Sequence, residues 1–314
     1  MKAIGLHAFG APDVLEVLEL PEPRAGRGEV RIRVHAAAVN ATDVLLRTGG
    51  HAVRMPGSRP PFVPGMDAAG VIDEVGPGVG PRLAEGQEVV AIVPFTGPHG
   101  GAYAEQVVVP AASVVLAPRG ISLAAAATVP MNALTARLAL DTLALPPGAP
   151  LAVTGAAGAV GGYAVQLARA EGLTVLADAA PRDRDLVAGF GADHVVERGA
   201  LVAERLRDLV PDGVPGVVDG SVQTSELLPA VADGGTVIEL RGWTGPAERG
   251  IRVRPIMTSD IWTDTDAFDT LARQVEAGTL TPRVHAVLRP EQAAYAHRLL
   301  AAGGLRGRLV LDFS

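Results

Sequence analysis

The chain has 314 residues, of which 48% are apolar, 19% charged and 4% aromatic. That is longer than one average domain and rich enough in apolar residues for two cores, so two domains are expected and disorder is not. A net charge of −7 without any clustered basic face argues against a nucleic-acid partner. The absence of cysteine removes disulfides, thiolate nucleophiles, Cys-ligated zinc and iron–sulfur clusters. The opening MKAIGLHAFG has no signal-like apolar run, and no stretch reads as the roughly 18 apolar residues of a membrane span. A cytoplasmic chain with no membrane partner is expected.

Taken in order, the first 118 residues read as β-rich. EVRIRVHAAAV (29–39) opens with the alternation of a half-buried strand, while AGVIDEVGPGV (69–79) and GQEVVAIVPF (86–95) are β-branched runs punctuated by Gly and Pro. Such spacing predicts a small barrel or sandwich. From about Ile121 the character changes. Residues 123–145 are Ala/Leu-rich and predict a helix interrupted near Pro130. Strands are then expected at 149–153, 173–177, 194–196, 216–219 and 236–240, alternating with helices at 161–171, 183–190, 201–209 and 225–231. That alternation predicts right-handed βαβ crossovers onto a parallel sheet. Helices at 266–276 and 291–301 and strands at 282–288 and 306–313 complete the chain.

The segment LAVTGAAGAVGGYAVQLARAEG (151–172) runs an apolar strand into Gly155-Ala-Ala-Gly158-Ala159-Val160-Gly161, which opens a helix. Gly155 permits a tight turn, Gly158 lets backbone approach a pyrophosphate, and Gly161 allows close helix–strand packing. The helix N-terminus then offers free N–H groups to phosphate. A merely structural turn is the alternative. Asp178 closes the next strand, where a carboxylate bonds a ribose 2′-OH and favours NAD. Arg182 and Arg184 follow at once and Arg198 follows the third strand, where guanidinium groups suit a 2′-phosphate. A solvated helix start, with the arginines paired to Asp183 and Asp185, is the competing explanation. The signals conflict, with NADPH expected and NADH left open.

These motifs, in order, resemble the medium-chain dehydrogenase/reductase superfamily, and specifically its zinc-free quinone oxidoreductase (zeta-crystallin-like) branch. The resemblance runs from LHAFGAPDVLEV (6–17) and GEVRIRVHAAAVNATDVLLRTG (28–49) through PFVPGMDAAGVIDEVGPGV (61–79) and VVAIVPFTGPHGGAYAEQVVVP (89–110). It continues in VPMNALTARLAL (129–140), the glycine turn and the closing GGLRGRLVL (303–311). It implies an α/β chain with two parts. One is a GroES-like catalytic domain over 1–118, completed by 282–314; the other is a Rossmann doubly wound parallel-sheet domain over 119–281. It also implies a homodimer and a small-molecule substrate.

Zinc-dependent relatives carry Cys where this chain has Asn40, and Gly-His-Glu where it has Gly65-Met66-Asp67. Their four-cysteine lobe, expected after Val93, is missing, so zinc would lack ligands. The resemblance places Asn40 and Thr135 near the nicotinamide with Met131 and Asn132 on the same face, and Arg241-Gly242 beside its carboxamide. It gives the pyrophosphate to Gly158, Ala159 and Val160, and counts Arg306 among the cofactor contacts. Asn40, Asp67 and Thr135 are the catalytic candidates. Asp67 is a candidate acid whose alternative is structural hydrogen bonding beside Gly65. Asp43 and Tyr103 read as structural, and His51 as a pocket-mouth or solvated loop residue. Both tryptophans, Trp243 and Trp262, lie in 243–266, where substrate selectivity or a dimer contact is expected. The expected activity is NADPH-dependent reduction of quinones or activated enones. A pathway-specific tailoring enzyme on the same scaffold, or a nucleotide-binding protein without turnover, are the alternatives.

Overall fold

A computed structural model describes residues 1–55, 57–246 and 248–314. The chain begins with strands β1 (Lys2–Gly5), β2 (Glu16–Glu19) and β3 (Glu29–Ala38), helix α1 (Ala41–Arg47), and strands β4 (Asp67–Val75), β5 (Glu88–Ile92), β6 (Gln106–Pro110) and β7 (Val114–Leu116). Helices α2 (Leu123–Ala126) and α3 (Pro130–Leu143) follow. Then come β8 (Pro150–Thr154), α4 (Ala159–Ala170), β9 (Thr174–Ala179), α5 (Arg184–Gly189), β10 (His194–Glu197) and α6 (Val202–Leu209). The chain continues with β11 (Val214–Asp219), α7 (Thr224–Leu227), β12 (Val231–Glu239) and β13 (Arg252–Pro255), and ends with α8 (Thr265–Glu276), β14 (Val284–Leu288), α9 (Ala293–Ala302) and β15 (Arg308–Asp312).

Two compact units result. The first holds Met1–Met131, Trp262–Glu276 and Pro282–Ser314, and the second Asn132–Ile261 and Ala277–Thr281. The division by contacts differs from the expected one over residues 119–131 and 262–276. Residues up to Met131 stay with the first unit because α2 packs on β3 and β4. Helix α8 joins it because Thr265 Oγ1 donates to the Ala112 carbonyl (2.9 Å) and Arg119 pairs with Glu276 (3.1 Å).

In the first unit a seven-stranded sheet runs β14-β15-β3-β4-β5-β7, with β6 also paired to β3. Strand β3 is covered along most of its length rather than half-buried as its alternation predicts, because β4, β6 and β15 all pair with it. Val30, Ile32, Val34, Val89, Val107 and Leu311 anchor the core there. In the second unit all neighbours are parallel, in the order β10-β9-β8-β11-β12-β13. Counted within the unit this is 3-2-1-4-5-6, the doubly wound Rossmann order, whose switch point falls between β8 and β11.

Residues Leu123–Leu143 form a helical stretch of 21 residues with mean hydropathy 1.3, long and apolar enough to cross a membrane, which corrects the expectation of no such stretch. It is 67% buried inside the fold and interrupted before Pro130, as suits a core segment. The single helix expected over 225–231 is also shorter. It ends at Leu227 and tightens into a 3₁₀ turn at Leu228–Ala230, where Pro229 has no N–H to continue the ladder.

Candidate functional site

In the first unit, sheet register assembles a buried polar cluster. Asp67 opens β4 opposite Ala38, the last residue of β3, so Asn40 stands just beyond it. Asn40 Nδ2 donates to Asp67 Oδ2 at 2.9 Å, and the Met131 N–H donates to Asp67 Oδ1 at 2.8 Å. Both side chains are fully buried. Strand β15 pairs antiparallel with β3 through Val310↔Ala38, which carries Arg308 alongside Asn40. The Arg308 guanidinium donates to Asn40 Oδ1 and to the Val39 carbonyl. Both ends of the Asn40 carboxamide are therefore engaged, and its orientation is set.

A second chain of contacts holds this cluster from behind. Asp43, in the first turn of α1, reaches back to the Asn40 N–H (2.7 Å) and also accepts from the Gly65 N–H (3.1 Å). It thereby ties the Asn40 loop to the Gly65-Met66-Asp67 segment. The Tyr103 hydroxyl donates to Asp43 Oδ2 at 2.9 Å and lies 3.3 Å from His297 Nε2. Arg47 Nε donates to His297 Nδ1 at 3.2 Å, which makes Nδ1 the acceptor and leaves the ring proton on Nε2, facing Tyr103. Burial governs the titration of the whole group. It pushes Asp43 up to about 7 against the donors that face it, and Asp67 up to about 6 against Asn40 and Arg308. Burial, with the Arg47 charge next, lowers His297 to about 4, so its ring is neutral; Tyr103 is raised well above the phenol range.

The second unit carries the glycine turn. Gly155 takes φ +64°, and a Cβ there would lie 2.8 Å from the Gly220 backbone. A Cβ on Gly161 would lie 2.4 Å from the Gly155 carbonyl oxygen, so α4 packs against the turn only because that position has no side chain. Gly158 is the N-cap of α4, and Ala159 and Val160 form its first turn. Asp178, 3% exposed, accepts a 3.3 Å bond from the Ala156 N–H of this turn. Its other oxygen, Oδ2, is buried and accepts no hydrogen bond among the described residues. Burial raises its pKa, while the turn N–H groups and the Arg198 charge oppose that rise.

The remaining sequence candidates distribute as follows. Arg182 is an exposed side chain 3.9 Å from Asp183, and Arg184 is exposed at the start of α5. Arg198 is exposed, its own N–H bonded to the Ala179 carbonyl at 3.0 Å, and its side chain has no ion pair among the described residues. The N–H groups of Arg241 and Gly242 both point at the buried Glu239 carboxylate, the former at 2.8 Å. Thr135 shares a 2.8 Å hydroxyl contact with Thr258 in the same unit. Arg306 belongs to the first unit, its guanidinium on the Leu305 carbonyl at 2.9 Å; the arginine of that segment that enters the Asn40 cluster is Arg308. His51 is not a solvated loop histidine: it is 8% exposed with its ring 5.2 Å from Phe95, because the loop folds back onto apolar neighbours. Trp243 packs on the core of the second unit; Ala247, in the same segment, lies outside the described residues. A cavity of about 430 Å³ between Arg137, Leu140, Leu143, Leu145 and Leu173 opens at the N-terminal ends of the parallel strands, away from the glycine turn.

The alcohol dehydrogenase GroES-like domain family matches residues 26–119, and the zinc-binding dehydrogenase family matches residues 190–311. Quinone oxidoreductase of Sus scrofa is 29% identical over 99% of this chain and 97% of its own length. The chloroplastic NADPH-dependent alkenal/one oxidoreductase of Arabidopsis thaliana is 32% identical over 90% of this chain and 72% of its own. The crystal structure of an NAD-dependent alcohol dehydrogenase superposes with a TM-score of 0.86 at 33% identity, covering 99% of both chains. The chain belongs to the medium-chain dehydrogenase/reductase superfamily, on its quinone-oxidoreductase-like branch. As such it is an oxidoreductase that works with a nicotinamide dinucleotide on a small molecule.

Proposed function

We propose that the protein is a zinc-independent, NADPH-dependent reductase of quinones or α,β-unsaturated carbonyls. The observation that carries the cofactor reading is the glycine turn with the Asp178 oxygen buried beside it. Gly155 and Gly161 let the turn close tightly on its neighbours, and Gly158 caps α4, whose N-terminus would receive a pyrophosphate. Asp178 Oδ2 is an orphaned acceptor that suits a ribose hydroxyl. Arg198, with Arg184 and Arg182, supplies positive charge at the same strand ends, which favours the 2′-phosphate of NADPH over the bare hydroxyl of NADH.

Zinc does not fit the residues present. Both Asp67 oxygens already accept hydrogen bonds, Asn40 and Met66 stand where a relative would place Cys and His, and the chain has no cysteine. When bound, a reduced nicotinamide supplies the hydride. Asp67 and Arg308 hold the Asn40 carboxamide in one orientation, and Asp43 fixes the loop that carries it. Thr135 and Thr258 orient one another by their hydroxyls, and Glu239 shapes the Arg241-Gly242 turn. The proton comes from solvent, since Asp67 faces donors on both oxygens. A homodimer in the cytoplasm is the working state we assign.

Steady-state NADPH oxidation against a panel of quinones and enones, before and after exhaustive chelation, tests this reading. Turnover with at least one class, unchanged by chelation, is the expected result. Turnover abolished by chelation and restored by zinc refutes zinc independence, and NADPH binding with no turnover on any member points to a protein that binds nucleotide without chemistry.

A further inference from the structure

The switch point between β8 and β11 contains a buried carboxylate that no sequence motif had singled out. Asp219, fully buried, ends β11 in register with Thr154, the residue immediately before the glycine turn. Its Oδ1 accepts from Thr154 Oγ1 (2.8 Å) and from the Ser221 N–H (3.1 Å), and its Oδ2 accepts from the Thr224 N–H (2.8 Å) and hydroxyl (3.1 Å). The Ser221 hydroxyl lies within bonding distance of both Thr154 Oγ1 (2.8 Å) and Asp219 Oδ1 (3.0 Å). The Gly220 N–H closes the contact by donating to the Thr154 carbonyl at 3.1 Å.

This network does not hold a relaxed loop. Val222 follows with φ +59°, a left-handed conformation that a β-branched residue adopts only when its surroundings impose it. The loop is also in direct contact with the cofactor turn: a Cβ at Gly155 would lie 2.8 Å from the Gly220 carbonyl carbon and 3.1 Å from the Ser221 nitrogen, and one at Gly220 would lie 2.6 Å from the Thr154 oxygen. The backbones of the two segments are seated on each other, so a shift in one displaces the other. In a doubly wound sheet this crevice, at the carboxyl ends of the strands flanking the switch point, is where the dinucleotide lies.

We propose that Asp219 is a positioning residue for dinucleotide binding, holding the Gly220–Val222 loop against the Gly155–Gly161 turn; this rests on the cofactor reading above. Asp219→Asn retains the shape but turns one of the two acceptor positions into an N–H₂ group facing existing donors. The loop must then move, and the turn with it. The expected result is a rise of about ten-fold or more in the NADPH dissociation constant, measured by fluorescence titration, with KM for NADPH rising more than kcat falls.

Thr154→Val, which removes one donor at nearly constant volume, is expected to raise the dissociation constant about three-fold, and it carries the test if Asp219→Asn does not fold. A folded variant with a lowered melting temperature and an NADPH dissociation constant within about two-fold of wild type overturns the inference, because a purely structural carboxylate behaves that way. Wild-type protein that binds neither NADPH nor NADH overturns the cofactor reading itself and the inference with it, and that failure is visible before any variant is made.

Discussion

His297→Gln offers a quantitative test of the buried network in the first unit. The glutamine amide reproduces both polar roles of the ring: its oxygen accepts from Arg47 Nε, and its N–H₂ donates toward Tyr103. What it lacks is a titrating group. His297 is fully buried and its pKa is lowered from 6.5 to about 4, by burial first and the Arg47 charge second. Below pH 6.5 the unfolded chain therefore binds a proton that the folded chain refuses. The stability this neutral ring contributes is fully present above the unfolded pKa and is lost as pH falls toward the folded one. At about 1.4 kcal/mol per pH unit, the loss reaches about 3 kcal/mol by pH 4.

Against this, the variant loses the edge-on ring contact with Tyr103, at 6.0 Å and 80°, and leaves a small void, together costing about 1–2 kcal/mol at every pH. Wild type should thus be the more stable protein by about 1–2 kcal/mol near neutrality and the less stable by a similar margin near pH 4, with the curves crossing between. Asp43 and Asp67 work in the opposite sense. Their raised pKa values make the folded state hold protons, so their contribution falls as pH rises from 3.8 toward about 7 and about 6 respectively. Both carboxyls are present in both proteins and cancel in the difference. Urea unfolding of the pair across this pH range is the assay, and a difference in stability that does not change with pH would refute the assignment of a neutral, acid-labile His297.

Three further outcomes follow from the same geometry. Asp67→Asn removes a group raised from 3.8 to about 6, so its stability relative to wild type should improve by up to about 3 kcal/mol as pH rises through that window, as followed by denaturant midpoints. Gly161→Ala forces a Cβ to 2.4 Å from the Gly155 carbonyl, and backbone on both sides cannot yield as a side chain would. It should cost about 1–3 kcal/mol in thermal stability despite the better helix propensity of alanine, and weaken NADPH binding in titration. Arg308→Met frees the Asn40 carboxamide oxygen from its guanidinium, and should lower kcat for the reductase reaction more than it raises KM for NADPH.

The parts of the molecule that could be read from residue order are those built by neighbours in the chain. The glycine turn declares itself because Gly155, Gly158 and Gly161 are local requirements of one strand–turn–helix passage, and the strand and helix alternation around it follows from apolar periodicity. Asp43 reads as structural because it lies one helical turn from Asn40. The identity of Arg308 does not show in the same way. It meets Asn40 across 268 residues of sequence, only because β15 returns to β3 in a register that GRLVL does not encode by itself. Arg306, two residues earlier, donates to the Leu305 carbonyl. His297 and Arg47 meet across 250 residues, and nothing in their local sequence pairs them. Asp219 is hidden for a related reason: an aspartate ending an apolar strand looks like any polar strand terminus until β8 is placed beside β11 and its hydroxyl donors converge on it. The two alternatives for His51 stay open in the sequence because loop composition does not say whether a loop folds back on apolar neighbours, as this one does against Phe95.

Preference for NADPH over NADH is the property of the second unit on which the proposed function turns. Titration of wild type and Arg198→Ala with both nucleotides, followed by nicotinamide fluorescence, tests it most directly. NADPH is expected to bind at least about ten-fold tighter than NADH in wild type, with that preference largely erased in the variant while NADH affinity is retained. Tighter binding of NADH by wild type would contradict it and make Asp178 the residue that selects the nucleotide.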